Sequence, residues 1–256
     1  MLFDTHAHLD DNRFDEDRDS VIKQCRQEGV ELILNAASDI ETSVKSIALA
    51  KKYDFIYAAV GVHPHSASEM DEDTIPVIAS LAENNKVKAI GEIGLDYHYD
   101  YSPRDVQKKR FIEQIDLARQ LKLPEIVHDR EAHGDVMEIF RKNRIKEVGG
   151  VLHSFSGSSE MAIECLRMGL YLSISGPVTF QNAKKTVEAV KVIPLDMLLI
   201  ETDSPYLTPV PNRGKRNYPG YVRYVAEKIA EIKGLSFEEV AYKTKENGKK
   251  LFGIEL

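Results

Sequence analysis

Cysteine is scarce in this 256-residue chain, with Cys25 and Cys165 its only two. A disulfide framework is thereby excluded, and two isolated thiols suit a reducing compartment, so a cytoplasmic protein is expected. No apolar run approaches the ~20 residues of a membrane-spanning helix, so no membrane partner is expected. The first twenty residues hold seven acids and two bases, the opposite of a signal or transit peptide. A positive excess is missing too. With 34 Lys+Arg against 41 Asp+Glu, the formal charge of −7 argues against a protein that coats nucleic acid. Linkers, low-complexity segments and repeats are also lacking, so residues 1–256 read as a single domain.

What is present is ordinary for a soluble globular chain, with 43% apolar and 29% charged residues. β-rich apolar runs near 2–8, 30–36, 55–62, 87–94, 124–129, 150–155, 170–175 and 197–202 alternate with amphipathic stretches. Phe111, Ile115 and Ala118 share a helical face, behind Ser102 as an expected N-cap and Pro103 at the first turn. Val222, Val225, Ala226 and Ile229 form another stripe, and Ser236 with Glu239 has capping-box spacing. Eight such units point to an α/β fold, a (β/α)8 TIM-type barrel, with an open doubly wound sheet as the rival. The barrel is favoured by the position of the unusual residues. His6, His8, Glu92, His128, His153 and Asp203 all fall at or just past the C-terminal ends of their strands, which a barrel gathers into one mouth.

His6 and His8 stand two apart on a strand and so share a face, which in a barrel is the interior. Imidazoles with carboxylates make the mixed N/O shell of zinc-like ions. His128 and His153 can aim at the same point, Glu92 can offer one oxygen to each of two metals, and Asp203 closes the set. A lone strand-end histidine is more often a satisfied polar residue than a ligand. Four histidines and two carboxylates at the same strand ends are much harder to explain that way.

Several segments carry a family resemblance. FDTHAHLD at 3–10, GVHPH at 61–65, GEIGLDY at 91–97, HDREA at 128–132, HSFSG at 153–157, SISGPVTF at 173–180 and ETDSPYL at 201–207 resemble the TatD-related DNases, a branch of the metal-dependent hydrolase barrels. RGKRNYP at 213–219 and Asn247 are similar to that family as well. The departure is Glu125, where the family usually has an apolar residue. By alternation from His128 it points outward, so a local packing effect is expected and not a changed metal site. The resemblance implies that His6, His8, Glu92, His128, His153 and Asp203 bind two divalent metal ions (Zn, Mg or Mn), with Glu92 as the bridge. It also implies metal-dependent deoxyribonuclease activity, with exonuclease character on single strands or ends.

In that chemistry two metals about 3.5–4 Å apart lower the pKa of a water and clamp the phosphoryl oxygens. Asp203 either holds this water and takes its proton or is only a ligand. Glu92 and Glu201 complete the candidate catalytic set, Glu201 reaching either the water or a histidine behind the ligands, or serving structure alone. Asp4 shares the strand parity of His6 and either orients an imidazole or is structural. His63 faces the mouth, to touch substrate or to support its loop. Arg130 either pairs with phosphate as a fork or tethers a loop. Arg213, Lys215 and Arg216, a basic cluster after the eighth strand, either draw in a DNA backbone or are merely solvated. Tyr206 and Phe155 are candidate stacking platforms.

The expected partner is a DNA strand, and the chain is read as a monomer or weak oligomer. A metal-dependent amide, ester or lactone hydrolase is the competing enzyme class, because the same centre polarises carbonyls. A binding protein with a vestigial site is disfavoured, since no ligand of the set is missing.

Overall fold

Aliphatic and β-branched runs separated by amphipathic stretches give strands that each lead into a helix. The computed structural model describes residues 1–143 and 145–255. The strands are β1 (Leu2–Ala7), β2 (Val30–Ala36), β3 (Ile56–Val60), β4 (Val87–Asp96), β5 (Glu125–Arg130), β6 (Gly150–Leu152), β7 (Tyr171–Ile174) and β8 (Leu198–Ile200). Between and after them run α1 (Arg18–Gln27), α2 (Ile40–Lys52), α3 (Thr74–Ala82), α4 (Arg104–Leu121), α5 (His133–Lys142), α6 (Ser159–Arg167), α7 (Lys184–Val192), α8 (Val222–Lys233) and α9 (Phe237–Phe252). The strands pair in parallel, in chain order. A parallel bridge joins Ala7 to Ser204. The His8 N–H donates to the Ser204 carbonyl at 2.8 Å and the Asp203 N–H to that of His6 at 2.9 Å. The sheet thus curls into a nearly closed barrel, and the flat alternative is set aside. Among the described residues no helix is long and apolar enough to cross a membrane.

Alternation along the strands sorts the core into two layers. Phe3, Leu32, Leu34, Ala59, Ala89, Ile126, Val151, Tyr171 and Leu199 form the barrel floor, where Phe252 and Ile254 from the end of α9 and beyond pack against them. Their neighbours Ile33, Ala58, Val60, Ile90, Val127, Leu152, Leu172, Leu198 and Ile200 face the helices instead. Phe111, Ile115 and Ala118 of α4 and the Val222, Val225, Ala226 and Ile229 stripe of α8 are buried in that outer layer. Cys25 and Cys165 are free thiols buried there too. Gly248 lets α9 press onto β1, since a Cβ would stand 2.6 Å from the Phe3 ring.

Three local expectations change. The N-cap of α4 is Pro103, not Ser102. The Ser102 hydroxyl instead accepts from the Ser68 N–H and donates to the His65 carbonyl, tying the loop after β3 to the start of α4. At α9 the Ser236 side chain accepts from the Glu239 N–H, which is half of a capping box. Glu125 lies in the outward-facing register of β5 but is fully buried beneath the helices, with no hydrogen bond to either oxygen.

Burial pushes the Glu125 carboxyl well up, against a smaller opposing pull from Arg119. Above the ordinary carboxyl range the unfolded chain releases this proton while the folded chain holds it, so folding loses stability as pH rises. Glu125→Leu is expected to stabilise the protein in urea unfolding, by more at about pH 8 than at about pH 5. Equal gains at the two pH values would show that burial does not hold the proton.

Candidate metal centre

The site begins with two irregularities in the sheet. On β1, Phe3 sits in the floor while Ala7 and Leu9 face the helices. The register against β2 shifts between Asp4 and Ala7, and this turns His6 and His8 into the mouth. On β4, Ala89 is a floor residue, Ile90 and Ile93 face outward, and the register on β5 shifts between them. Glu92 is thereby aimed inward. His63, His128 and His153 need no such device, because each continues the inward parity of Ala59, Ile126 and Val151. Asp203, just past β8, reaches the mouth from a left-handed backbone conformation with φ 55°.

Glu92 is the hub, and its two oxygens serve different neighbours. Oε2 lies 3.1 Å from His6 Nε2 and 3.6 Å from His8 Nε2. Oε1 lies 2.8 Å from His128 Nδ1, 2.9 Å from His153 Nε2 and 3.3 Å from His63 Nε2. Asp203 Oδ1 closes the first group at 3.4 Å from His8 Nε2 and 3.7 Å from His6 Nε2. Within each group two imidazole nitrogens face each other at 3.1 Å, His6 with His8 and His128 with His153. Nitrogens so placed share at most one proton, whereas a cation between them would take both lone pairs. The donor set fits a divalent ion of the zinc or manganese kind.

Bonds behind the rings select the tautomers. His8 Nδ1 donates to the Ala36 carbonyl at 2.9 Å, leaving Nε2 as the free lone pair. His128 Nε2 donates to Asp96 at 3.0 Å, leaving Nδ1 free. For His153 no such bond is made: its Nδ1 lies 3.3 Å from Glu201 without hydrogen-bonding it, and the Glu201 Oε1 instead accepts the Ser154 N–H. His63 is the exception. Its Nδ1 accepts the His65 N–H at 3.1 Å, so its proton sits on Nε2 and points at Glu92. His63 is therefore built as a donor toward the mouth and not as a fifth lone pair.

Charge follows the same geometry. Burial alone would push the Glu92 carboxyl up, but the imidazoles of His153, His63 and His6 hold it well below its ordinary range. Burial opposes charge on His8, yet the bond to Asp203 and the Glu92 charge outweigh it and raise the ring to about 9. His63, with burial dominant, drops to about 4. Asp203 stays below the usual carboxyl value, because its bond with His8 and the neighbouring imidazoles overcome burial.

The other expected residues divide. His8, His63, Glu92, His128, Arg130, His153, Phe155, Asp203 and Tyr206 line one cavity of about 1020 Å³ at the mouth. Glu201 is fully buried and does not line it, lying behind His153. Asp4 touches no imidazole; it accepts the Thr202 N–H and hydroxyl and the His6 backbone N–H, so it ties β1 to the end of β8. Arg130 stacks on Tyr99 at 4.7 Å, with no carboxylate partner among the described residues. Arg213 covers Phe180, Lys215 bonds Asn212, and Arg216 forks onto Asp17 at the start of α1; none of the three lines the cavity. Phe155 is nearly buried in the cavity wall, and Tyr206 carries the Arg13 guanidinium over its ring. Sequence reasoning missed Asp96 and its second partner His65, 2.9 Å away. The strand-end criterion that selected Glu92 applies equally to Asp96, the last residue of β4.

The family model described as TatD related DNase matches residues 3–253. A relative named uncharacterized metal-dependent hydrolase YabD, from Bacillus subtilis, is 52% identical over 99% of this chain and 100% of its own length. A 3'-5' ssDNA/RNA exonuclease TatD from Citrobacter rodentium is 35% identical over 100% of this chain and 99% of its own. Among solved structures, YjjV, a TatD homolog from Escherichia coli, superposes with a TM-score of 0.93 at 30% identity, covering 99% of this chain and 98% of that one.

Cation binding has to displace the proton that His8 holds up to about 9. The affinity for zinc is expected to weaken as pH falls below that value, by about tenfold per pH unit for each proton released. Calorimetry in buffers of different ionisation enthalpy reads that release, and a pH-independent affinity would contradict it. Asp96→Ala is expected to weaken metal binding about 10–100-fold by freeing the His128 ring.

Proposed function

Because the chain belongs to the TatD-related DNase family of metal-dependent hydrolases, we propose that it hydrolyses phosphodiester bonds of DNA at single strands or strand ends. His6, His8, Glu92 and Asp203 would hold one divalent cation and Glu92, His128 and His153 a second, with Glu92 between them. When bound, such a pair polarises the phosphoryl oxygens and acidifies water. The observation that carries the reading is the division of the Glu92 oxygens between two groups of imidazoles, at the bottom of a cavity large enough for a polymer end.

The protein's own groups supply the rest. Asp203 lines the cavity with its carboxylate held in the charged form, so it is the base for the proton of an attacking water. His63 presents its Nε2 proton toward the mouth, where a phosphate oxygen can accept it. Arg130, without a carboxylate partner among the described residues, is forked and suits a non-bridging phosphate oxygen pair. Glu201 acts through His153, as the carboxylate behind that ring. A concave mouth favours a strand end over a phosphate midway along a rigid duplex. Amide, ester or lactone hydrolysis is the second reading, favoured by the absence of Arg213, Lys215 and Arg216 from the cavity wall.

Incubation of end-labelled single-stranded DNA with added Mg or Mn, beside an ester and amide panel, separates the two. Metal-dependent laddering that disappears in His6→Ala/His8→Ala is expected; turnover of the carbonyl panel alone would replace the nuclease with the second reading. Asp203→Asn is expected to keep His128-side metal while kcat falls about 10²–10⁴-fold, the usual cost of losing a general base.

A further inference from the structure

We infer that Tyr99 and Tyr101, in the loop between β4 and α4, form a stacking shelf for an unpaired base of the strand whose phosphate enters the cavity; the inference rests on the nuclease reading. The two rings are nearly parallel, 10° apart, with centroids 5.2 Å from each other. Both are exposed, Tyr99 at 46% and Tyr101 at 67%. The rings are stacked on each other and Arg130 lies over Tyr99, so the exposed Tyr101 ring is the end of the stack on which a base would be added. Every nucleobase has a π-face to offer, whereas a base inside a duplex has both faces covered by its neighbours.

The shelf adjoins the metal centre through defined contacts. His65 meets both rings edge-on, at 5.4 and 4.9 Å, and its own ring lies 4.2 Å from that of His63. Arg130 covers the Tyr99 ring, and both line the cavity, so a guanidinium joins the stacked pair to the cavity wall. Stacking and charge pairing are thus side by side, as single-strand recognition requires.

The loop is also pre-set. Asp96 Oδ1 accepts the backbone N–H groups of His98 and Tyr99 at 3.0 and 2.9 Å, while Oδ2 accepts from His128 and His65. Gln107 brackets the same turn, accepting the Asp96 N–H and donating to the Asp96 and Ser102 carbonyls. Arg104 forks onto Asp100, between the two tyrosines. One buried carboxylate therefore sets both the His128 ring and the base of the shelf.

The test compares metal-loaded wild type, Tyr99→Ala/Tyr101→Ala and Tyr99→Phe/Tyr101→Phe on two single strands of equal length, one of DNA and one of abasic residues. A stacked base contributes roughly a tenfold effect or more. The alanine pair is expected to lose about that factor in kcat/KM on DNA, chiefly through KM, and to match wild type on the abasic strand. The phenylalanine pair, which keeps the rings, is expected to retain wild-type preference and controls for folding. Equal losses on both strands, or no loss on DNA, would overturn the shelf while leaving the nuclease standing. A wild type that cleaves neither strand would overturn the nuclease reading, and the shelf would fall with it.

Discussion

Glu92 is a carboxylate taken out of water, and the mouth of the barrel is arranged around the need to compensate its charge. A buried anion without partners is among the most costly features a fold can carry. Here five imidazoles, from the ends of β1, β3, β5 and β6, approach its two oxygens within 3.6 Å. The same arrangement leaves imidazole nitrogens facing each other, which is satisfactory only if protons or cations lie among them. Stability of the mouth and capacity for metal are therefore one physical fact.

The groups behind the imidazoles matter as much as the imidazoles. The Ala36 carbonyl, Asp96 and Glu201 each stand behind one ring, and the His65 N–H takes the Nδ1 lone pair of His63. The Ala36 carbonyl and Asp96 leave His8 and His128 each presenting a lone pair, and the His65 N–H leaves His63 presenting a proton. Tethering of a different kind closes the barrel. Asp4 bonds Thr202, and the backbone of His6 and His8 bonds that of Asp203 and Ser204, so β1 and the β8 exit move as a unit. Two candidate ligands from one end of the chain and one from the other are thereby held in a common frame.

On the nuclease reading, an acidic protein that takes a polyanion has to place its cations carefully. Arg216, forked onto Asp17, fastens the loop after β8 to the start of α1. Arg213 lies over Phe180, away from the cavity wall. Arg130 alone of the expected basic residues lines the cavity. Local forks and stacking surfaces suit such a site better than a broad positive field, which a chain of net charge −7 does not provide.

Strand and helix periodicity, and the recurrence of His, Glu and Asp at strand ends, determined the barrel and the six candidate ligands that it gathers at its mouth, because both are written in local spacing. Glu125 was legible in orientation but not in environment: alternation says which way a side chain points, and only the packed helices decide that nothing there can bond it. Asp4 broke the parity argument, since a register shift on β1 is set by how that strand meets β2 and not by its own residues. Asp96 stood at a strand end, where the criterion used for Glu92 could have found it. Its bonds to His128 and His65 and the stacking of the two tyrosines became visible only in the tertiary structure. The fate of Arg216 likewise depended on Asp17, which lies 199 positions away in the chain. Contacts between such distant segments follow from tertiary packing, to which no local pattern in the sequence refers.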